Sequence, residues 1–227
     1  MIARVPALLA AAALAVAALR AGAVSREEAE VPERVTSAAA WAPPEGFVAA
    51  MHRACDGERG DFGACFVAEM RKAGASSAAV AFARRTHDQG YLEIFRATGG
   101  PVDVAVAVYP FRANENAVIF LVNGSPPMLD VDDPRYLARD ALRGDAVYAG
   151  LLRAHPNVAV FPGTRSRADA VVVSRLPDGG QVFRVPYALT DGCHACTRIG
   201  DLRLDFDFDA AGRFAGTRVA AVRAASR

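Results

Sequence analysis

Apolar side chains recur every three to four residues along the first part of the chain, which is the spacing of an amphipathic helix. The first such stretch covers residues 45–56, and Gly57 and Gly60 interrupt the pattern after it. A second stretch follows Asp61, whose carboxylate can accept hydrogen bonds from the free N–H groups at a helix start. A third covers residues 78–85. The pattern predicts two or three short helices that pack on one another.

Beyond residue 90 the period of the apolar positions shortens to two, which is typical of half-buried strands. Residues 91–95, 102–111 and 117–122 follow this pattern. Asn123-Gly124 comes directly after the third run, and both residue types tolerate the positive φ of a tight hairpin turn. The middle of the chain is therefore predicted to be a β-hairpin region.

One further helix and a set of strands complete the prediction. Asp133 and Pro134 suit the start of a helix over residues 134–154, either interrupted at Gly144 or continuous. The last third alternates again and predicts four strands: residues 170–176, 181–189, 201–208 and 213–222. The predicted fold is α+β, with short N-terminal helices, a β-hairpin region, one further helix and a C-terminal antiparallel β-meander.

The N-terminus has the pattern of a secretory signal peptide. Arg4 precedes an uncharged run over residues 5–19, and Ala21-Gly22-Ala23 supplies the small residues of a cleavage site. An uncleaved membrane anchor is the alternative, but the run is shorter than the ~20 residues that span a bilayer. We expect the mature chain to be periplasmic or extracellular.

Cleavage divides the chain into three parts. Residues 1–23 are the predicted signal peptide. Residues 24–44 mix charge, alanine and proline without a period, and we expect them to form a flexible leader. Residues 45–227 are rich enough in apolar residues to form a single domain with its own core.

The charge balance excludes two classes of partner. The chain has 26 basic and 25 acidic residues, a net charge of +1. Removal of residues 1–23 takes away Arg4 and Arg20 and no acid, which leaves 24 basic against 25 acidic residues and a net charge of −1. A near-neutral chain has no electrostatic attraction for nucleic acid or for an anionic membrane. The abundance of arginine and alanine is typical of a GC-rich bacterial genome.

Four cysteines, an even number, suit a disulfide framework in an exported chain. They allow three connectivities. Pairing of Cys55 with Cys65 and of Cys193 with Cys196 is favoured because the partners are close in sequence. Pairing between the two ends of the domain would require two distant loops to meet in space.

The same cysteines admit other interpretations. Zinc could be held by all four thiolates, with His52 or His194 replacing one, although nine residues separate the first pair instead of two to four. A redox dithiol would need Cys193 at the start of a helix, whereas the residues after Cys196 alternate as a strand does. Haem attachment needs histidine directly after the second cysteine, where Thr197 stands. We expect no metal and no cofactor.

Two polar loops are candidates for contact with a ligand or partner. One carries Arg112 and Asn114 at a strand end, and the other carries Arg165 and Arg167. Guanidinium groups in such positions can hold an anionic group. The predicted partner is another envelope protein or a small anionic ligand.

Acidic residues near the C-terminus resemble the start of a calcium loop. Asp205, Asp207 and Asp209 have its spacing, but the glycine directly after the third acid and the final glutamate are missing. The polar face of a strand that ends in a turn is the favoured interpretation.

The sequence contains no nucleophile elbow, Walker loop, Rossmann fingerprint or H-E-x-x-H zinc motif. We therefore predict no catalytic residues and expect a disulfide-stabilised binding or inhibitor-like module. The alternative is an envelope enzyme. It would be a hydrolase built around His87 or His155, or a thiol-dependent oxidoreductase that uses Cys193 and Cys196.

Overall fold

The computed structural model describes residues 34–55, 61–112, 116–162 and 168–225. The predicted signal peptide and the first part of the predicted leader lie outside these ranges. From Arg34 onward the chain forms one compact unit. The described residues contain five α-helices and two antiparallel sheets, so the predicted α+β fold is confirmed.

Three short helices form the N-terminal layer, after a 3₁₀ turn over Ser37–Ala39. They are α1 (Phe47–Cys55), α2 (Phe62–Lys72) and α3 (Ser77–Arg85). Asp61 caps α2, because its carboxylate accepts hydrogen bonds from the N–H groups of Gly63 and Ala64 at 2.9 and 3.3 Å. The Ser76 hydroxyl caps α3 in the same way. The predicted helices are therefore present, and local capping groups set two of their starts.

Residues 34–44, which the sequence places in the flexible leader, pack in the folded unit. Val35 and Trp41 are only 3% and 9% exposed. The Asn123 side chain accepts a hydrogen bond from the Val35 N–H at 2.7 Å and donates one to the Val35 carbonyl at 2.8 Å. The Trp41 N–H donates to the Leu92 carbonyl at 2.9 Å. The segment inserts single apolar side chains without a repeat, so periodicity does not reveal it.

The first sheet contains four antiparallel strands in chain order. They are β1 (Tyr91–Arg96), β2 (Asp103–Val108), β3 (Ala117–Val122) and β4 (Met128–Asp130). The β3–β4 connection begins at Asn123, whose φ of 71° lies in the left-handed region. The predicted turn at Asn123-Gly124 thus marks a chain reversal, although residues 123–127 make it longer than two residues.

Two helices replace the single helix predicted over residues 134–154. They are α4 (Arg139–Gly144) and α5 (Ala146–Ala154). Asp145 separates them, because its backbone is extended and its carboxylate accepts hydrogen bonds from the N–H groups of Val147 and Tyr148, both at 2.9 Å. The predicted interruption at Gly144 is correct to within one residue.

The second sheet contains five strands. They are β5 (Val158–Pro162), β6 (Val172–Arg175), β7 (Gln181–Asp191), β8 (Arg198–Phe208) and β9 (Phe214–Ala224). The order is β5-β7-β8-β9, and β6 also pairs with β7, so β5 and β6 occupy successive parts of one β7 edge. The predicted meander β7-β8-β9 is confirmed. Strand β5 was not predicted.

The first sheet is covered on both faces. Val104 and Val106 of β2 belong to a core shared with the second sheet. Ala105 and Ala107, which point the other way, pack in a cluster with Phe82 of α3. The helices α1–α3, the first sheet and the second sheet therefore form successive layers, and α4 and α5 contact β9 of the second sheet.

Candidate functional site

A groove of about 760 Å³ lies where α4 and α5 approach β5. We call it the β5 groove. One wall consists of apolar side chains from the helices and the segment before them: Leu137, Leu142, Tyr148 and Leu152. The other wall consists of residues 158–161, and the polar lining residues are Asp132, Arg139 and Arg143. The groove is mostly apolar, with two guanidinium groups.

The groove follows the free edge of β5. Successive side chains of a strand point to opposite faces of the sheet, so a pocket on one face contacts every second residue. Here four consecutive residues, 158–161, line the same groove. Within the described part of the chain, β5 pairs with β7 on one side and with no strand on the other. The groove therefore exposes the edge of the strand rather than one face.

The hydrogen-bond alternation identifies which backbone groups face the groove. The Asp191 N–H donates to the Thr197 carbonyl and the Val158 N–H donates to the His155 carbonyl, so neither N–H enters the β5–β7 ladder. Val158 and Asp191 are partners in that ladder and form a non-hydrogen-bonded pair. Because such pairs alternate with hydrogen-bonded ones, Val160 directs its N–H and carbonyl outward.

Two arginines give the groove a positive side. Arg143 forms an ion pair with Asp140, whereas Arg139 forms no ion pair within the described residues. Burial raises the pKa of Tyr148, and the nearby positive charges of Arg139 and Arg143 partly offset that rise. The phenol therefore remains neutral at physiological pH, and the charged groups that line the groove are the guanidinium groups of Arg139 and Arg143 and the carboxylate of Asp132.

The Cys193–Cys196 turn adjoins the groove. The His194 ring contacts the Phe161 ring edge to face, with 5.0 Å between centroids, and Phe161 lines the groove. The His155 Nδ1 lies 2.9 Å from the Asp191 Oδ2, where β7 ends and the turn begins. Neither His155 nor Asp191 lines the groove. The turn thus contacts the groove through His194 and Phe161, a contact between residues more than thirty positions apart that the sequence alone could not reveal.

The four cysteines form two disulfides, Cys55–Cys65 and Cys193–Cys196. These are the local pairings that the sequence spacing favours. A disulfide sulfur is not a thiolate, so the four-cysteine zinc alternative does not apply to this structure. No group of three or more metal-ligating side chains occurs among the described residues. The residues after Cys196 enter β8 rather than a helix.

Of the four predicted ligand-loop residues, the structure describes only Arg112. Arg112 lies with its guanidinium 3.9 Å from the centre of the Tyr109 ring, in a pocket of about 330 Å³ lined also by Phe62, Gln89 and Phe111. Arg112 does not line the β5 groove. Asn114, Arg165 and Arg167 lie outside the described residues.

The outer face of the second sheet carries a basic depression of about 320 Å³. Arg198, Arg203 and Arg223 line it, together with Asp201. Arg198 pairs with Asp201, which lowers the net charge of the depression. The alternation of β8 predicts a polar face here. The three arginines lie close to one another only because β8 pairs with β9, which the pattern of a single strand does not predict.

The acidic residues of β8 are neutralised rather than arranged around a cation. Asp205 is fully buried and accepts hydrogen bonds from Arg184 at 2.7 and 2.8 Å, and Arg218 lies 3.1 Å from it. Arg218 also pairs with Asp207 at 2.8 Å. Asp209 accepts hydrogen bonds from backbone N–H groups of the turn that follows. These residues lie on the polar face that the alternation predicts, but Asp205 is buried there because Arg184 of β7 and Arg218 of β9 cover it.

Sequence reasoning missed the β5 groove. The signal available was the short apolar run of residues 158–161 before Pro162. This run is as long as a short strand but lies between a helix and a loop.

No helix in the described ranges is long and apolar enough to cross a membrane. No family model, curated protein or solved structure matches the chain. The functional argument therefore rests on the geometry of these surfaces.

Proposed function

We propose that this chain is an exported, non-enzymatic binding module that captures an extended segment of another envelope protein. The segment adds to the second sheet as a strand alongside β5 and lies in the β5 groove. Strand addition supplies affinity through main-chain hydrogen bonds and specificity through pockets for alternate side chains. The observation that carries the proposal is the lining of one groove by four consecutive residues of an edge strand.

The composition of the groove indicates the chemistry of the segment. Val160 offers an outward N–H and carbonyl for pairing. The apolar wall, which includes Leu142 and Leu152, favours apolar side chains on the face of the segment that points into the groove. Arg139 and Arg143 favour an acidic side chain or a terminal carboxylate, because guanidinium groups bind carboxylates in bidentate geometry.

Export is part of the proposal. The charged start, short apolar run and small residues of the first 23 positions have the pattern of a cleaved signal peptide. Two disulfides are compatible with an oxidising compartment such as the periplasm or the cell exterior. The partner would therefore be a protein of the same compartment.

The enzyme alternative has less support. His155 and Asp191 form a contact of the kind that orients a general base. Neither side chain lines the β5 groove, so the proposed binding site does not use them. Cys193 and Cys196 lack the helix start that lowers the pKa of a catalytic thiol. A binding role uses the groove directly.

Selection from a random peptide library on the purified chain tests the proposal. We expect the selected peptides to share alternating apolar positions and at least one acid. On binding, the Val160 amide should gain protection from hydrogen exchange, because its N–H becomes part of a ladder.

A matched pair of variants tests the mode of binding. Val160→Pro removes the outward N–H without removing a β5–β7 hydrogen bond, and it should weaken peptide binding by at least about tenfold. Val160→Thr keeps the N–H and the side-chain shape and should retain affinity to within about threefold. Thermal unfolding and circular dichroism check that both variants fold.

Charge variants and assembly state complete the test. Replacement of Arg139 and Arg143 by alanine should abolish the preference for acidic peptides. Arg153 is an exposed arginine of α5 outside the groove, so Arg153→Ala should keep that preference.

Equal peptide binding by the Val160→Pro and Val160→Thr variants would contradict strand addition. A dimer that Val160→Pro dissociates would show that a second copy of the chain occupies the edge instead.

A further inference from the structure

The Cys193–Cys196 disulfide stands at the tip of the β7–β8 hairpin. Both cysteines are exposed, whereas in the other disulfide Cys55 is only 3% exposed and Cys65 is half-buried against the helical core. Thiol–disulfide exchange requires a thiolate to reach one sulfur of the bond. The two disulfides of this chain therefore differ in their access to an external thiol.

The two rings also differ in size. Two residues lie between Cys193 and Cys196, and nine lie between Cys55 and Cys65. A shorter closed loop restricts the unfolded chain less, so less stability depends on the bond. Opening of the Cys193–Cys196 ring should leave the rest of the fold in place.

Contacts other than the disulfide hold the turn. The Cys196 N–H donates to the Cys193 carbonyl at 3.0 Å, and the Asp191 N–H donates to the Thr197 carbonyl at 3.0 Å. The His194 ring rests against Phe161. Since these contacts do not involve the sulfurs, we expect them to persist in the dithiol form. The two thiols then remain close together, which favours closure again.

The backbone around the turn indicates which side of the exchange this chain takes. The residues that follow Cys196 enter β8, so no helix start stabilises a thiolate at Cys193. The attacking thiolate must therefore come from another molecule. The exposed disulfide is the electrophile in the first step.

We propose that Cys193–Cys196 is a reversible exchange site that accepts electrons from an exported protein dithiol. A thiolate of the dithiol protein attacks one sulfur, the Cys193–Cys196 bond breaks, and the released sulfur takes up a proton. The second thiolate of the dithiol protein then attacks that protein's other sulfur, which is held in the mixed disulfide. The mixed disulfide breaks, and the second sulfur of this chain is released and takes up a proton. The dithiol protein leaves as a disulfide, and two electrons and two protons have passed to Cys193 and Cys196. This site does not depend on peptide binding in the β5 groove.

The test titrates the purified, oxidised chain with dithiothreitol under native conditions. Samples are alkylated, and mass spectrometry quantifies each disulfide separately, so Cys55–Cys65 serves as the internal control. We expect half-reduction of Cys193–Cys196 at a dithiothreitol concentration at least about tenfold lower than that for Cys55–Cys65. Circular dichroism should not change over that range, and removal of the reductant in the presence of oxidised glutathione should restore the bond.

Two variants separate exchange from unfolding. Cys193→Ser/Cys196→Ser should keep the native circular dichroism and thermal midpoint to within a few degrees, since little stability depends on this ring. Cys55→Ser/Cys65→Ser should still show low-concentration reduction of Cys193–Cys196. Reduction of both disulfides at the same concentration, or only with loss of the native spectrum, would overturn the proposal. So would failure of the bond to reform.

Discussion

Asn123 illustrates how much of the fold can depend on one side chain. Its carboxamide holds both backbone groups of Val35 and also donates to the buried Asp103 at 2.8 Å. Its own backbone has a φ of 71°, which asparagine tolerates better than most residues with a Cβ. This residue therefore ties the N-terminal segment to the reversal between β3 and β4.

Two substitutions at this position separate the side-chain bonds from the backbone requirement. Asn123→Gly loses the hydrogen bonds and should lower the free energy of unfolding by about 2 kcal/mol. Asn123→Ala loses the same bonds and also strains a positive φ, which should cost about 1 kcal/mol more. Urea unfolding measures both. Asn157→Ala, at an exposed position, is the control, and equal losses for alanine and glycine would show that the backbone is unstrained.

At the scale of elements, Asp145 decides how α4 and α5 meet. The two helices are nearly continuous in sequence, yet the cap at Asp145 ends one and starts the other. Both helices line the β5 groove. The shape of the candidate site therefore depends on a single capping residue, which is acidic and does not itself line the groove.

Removal of this cap should weaken the helix pair. Asp145→Ala leaves the N–H groups of Val147 and Tyr148 without their carboxylate partner and should lower the free energy of unfolding by about 1 kcal/mol. Asp140→Ala removes an exposed acid from α4 and should change it by less than about 0.5 kcal/mol. Thermal unfolding compares the two. A larger loss at Asp140 would indicate that the Asp140–Arg143 ion pair, not the cap, holds the helices.

Across the whole molecule, the buried tyrosines are expected to make stability fall at alkaline pH. Burial raises the pKa of Tyr91 to about 12, and burial raises that of Tyr109 also to about 12. Burial raises the pKa of Tyr187 well above its usual value. Each phenol therefore stays neutral to a higher pH in the folded chain than in the unfolded chain, where it ionises near pH ~10.

The sign of the resulting pH dependence follows from linkage. Below pH ~10 both states carry neutral phenols and the contribution to stability is complete. As the pH rises from ~10 through the folded pKa values near 12, the unfolded state alone loses protons and the free energy of unfolding falls. Urea unfolding at increasing pH measures the fall. Tyr91→Phe should reduce it, and ionisation of the tyrosines at their usual pH without unfolding would contradict the prediction.

The local parts of the fold and the cysteine pairing were accessible from the sequence. Helical spacing around Phe66 and strand alternation around Leu204 are patterns of near neighbours, and they predicted the N-terminal helices and the C-terminal meander. Proximity in sequence also favoured the two disulfides that the structure contains. These features depend on residues within a few positions of one another, where backbone geometry dictates which side chains share a face.

The tertiary structure alone decided the candidate site. Residues 158–161 were too few to distinguish an edge strand from a loop, and only their pairing with β7 creates a free edge. The burial of Val35 and Asp205 likewise depends on partners more than twenty positions away: Asn123 for Val35, and Arg184 for Asp205. A sequence records the chemistry of each side chain, but which edges and faces meet is settled by the packing of distant segments into a common core.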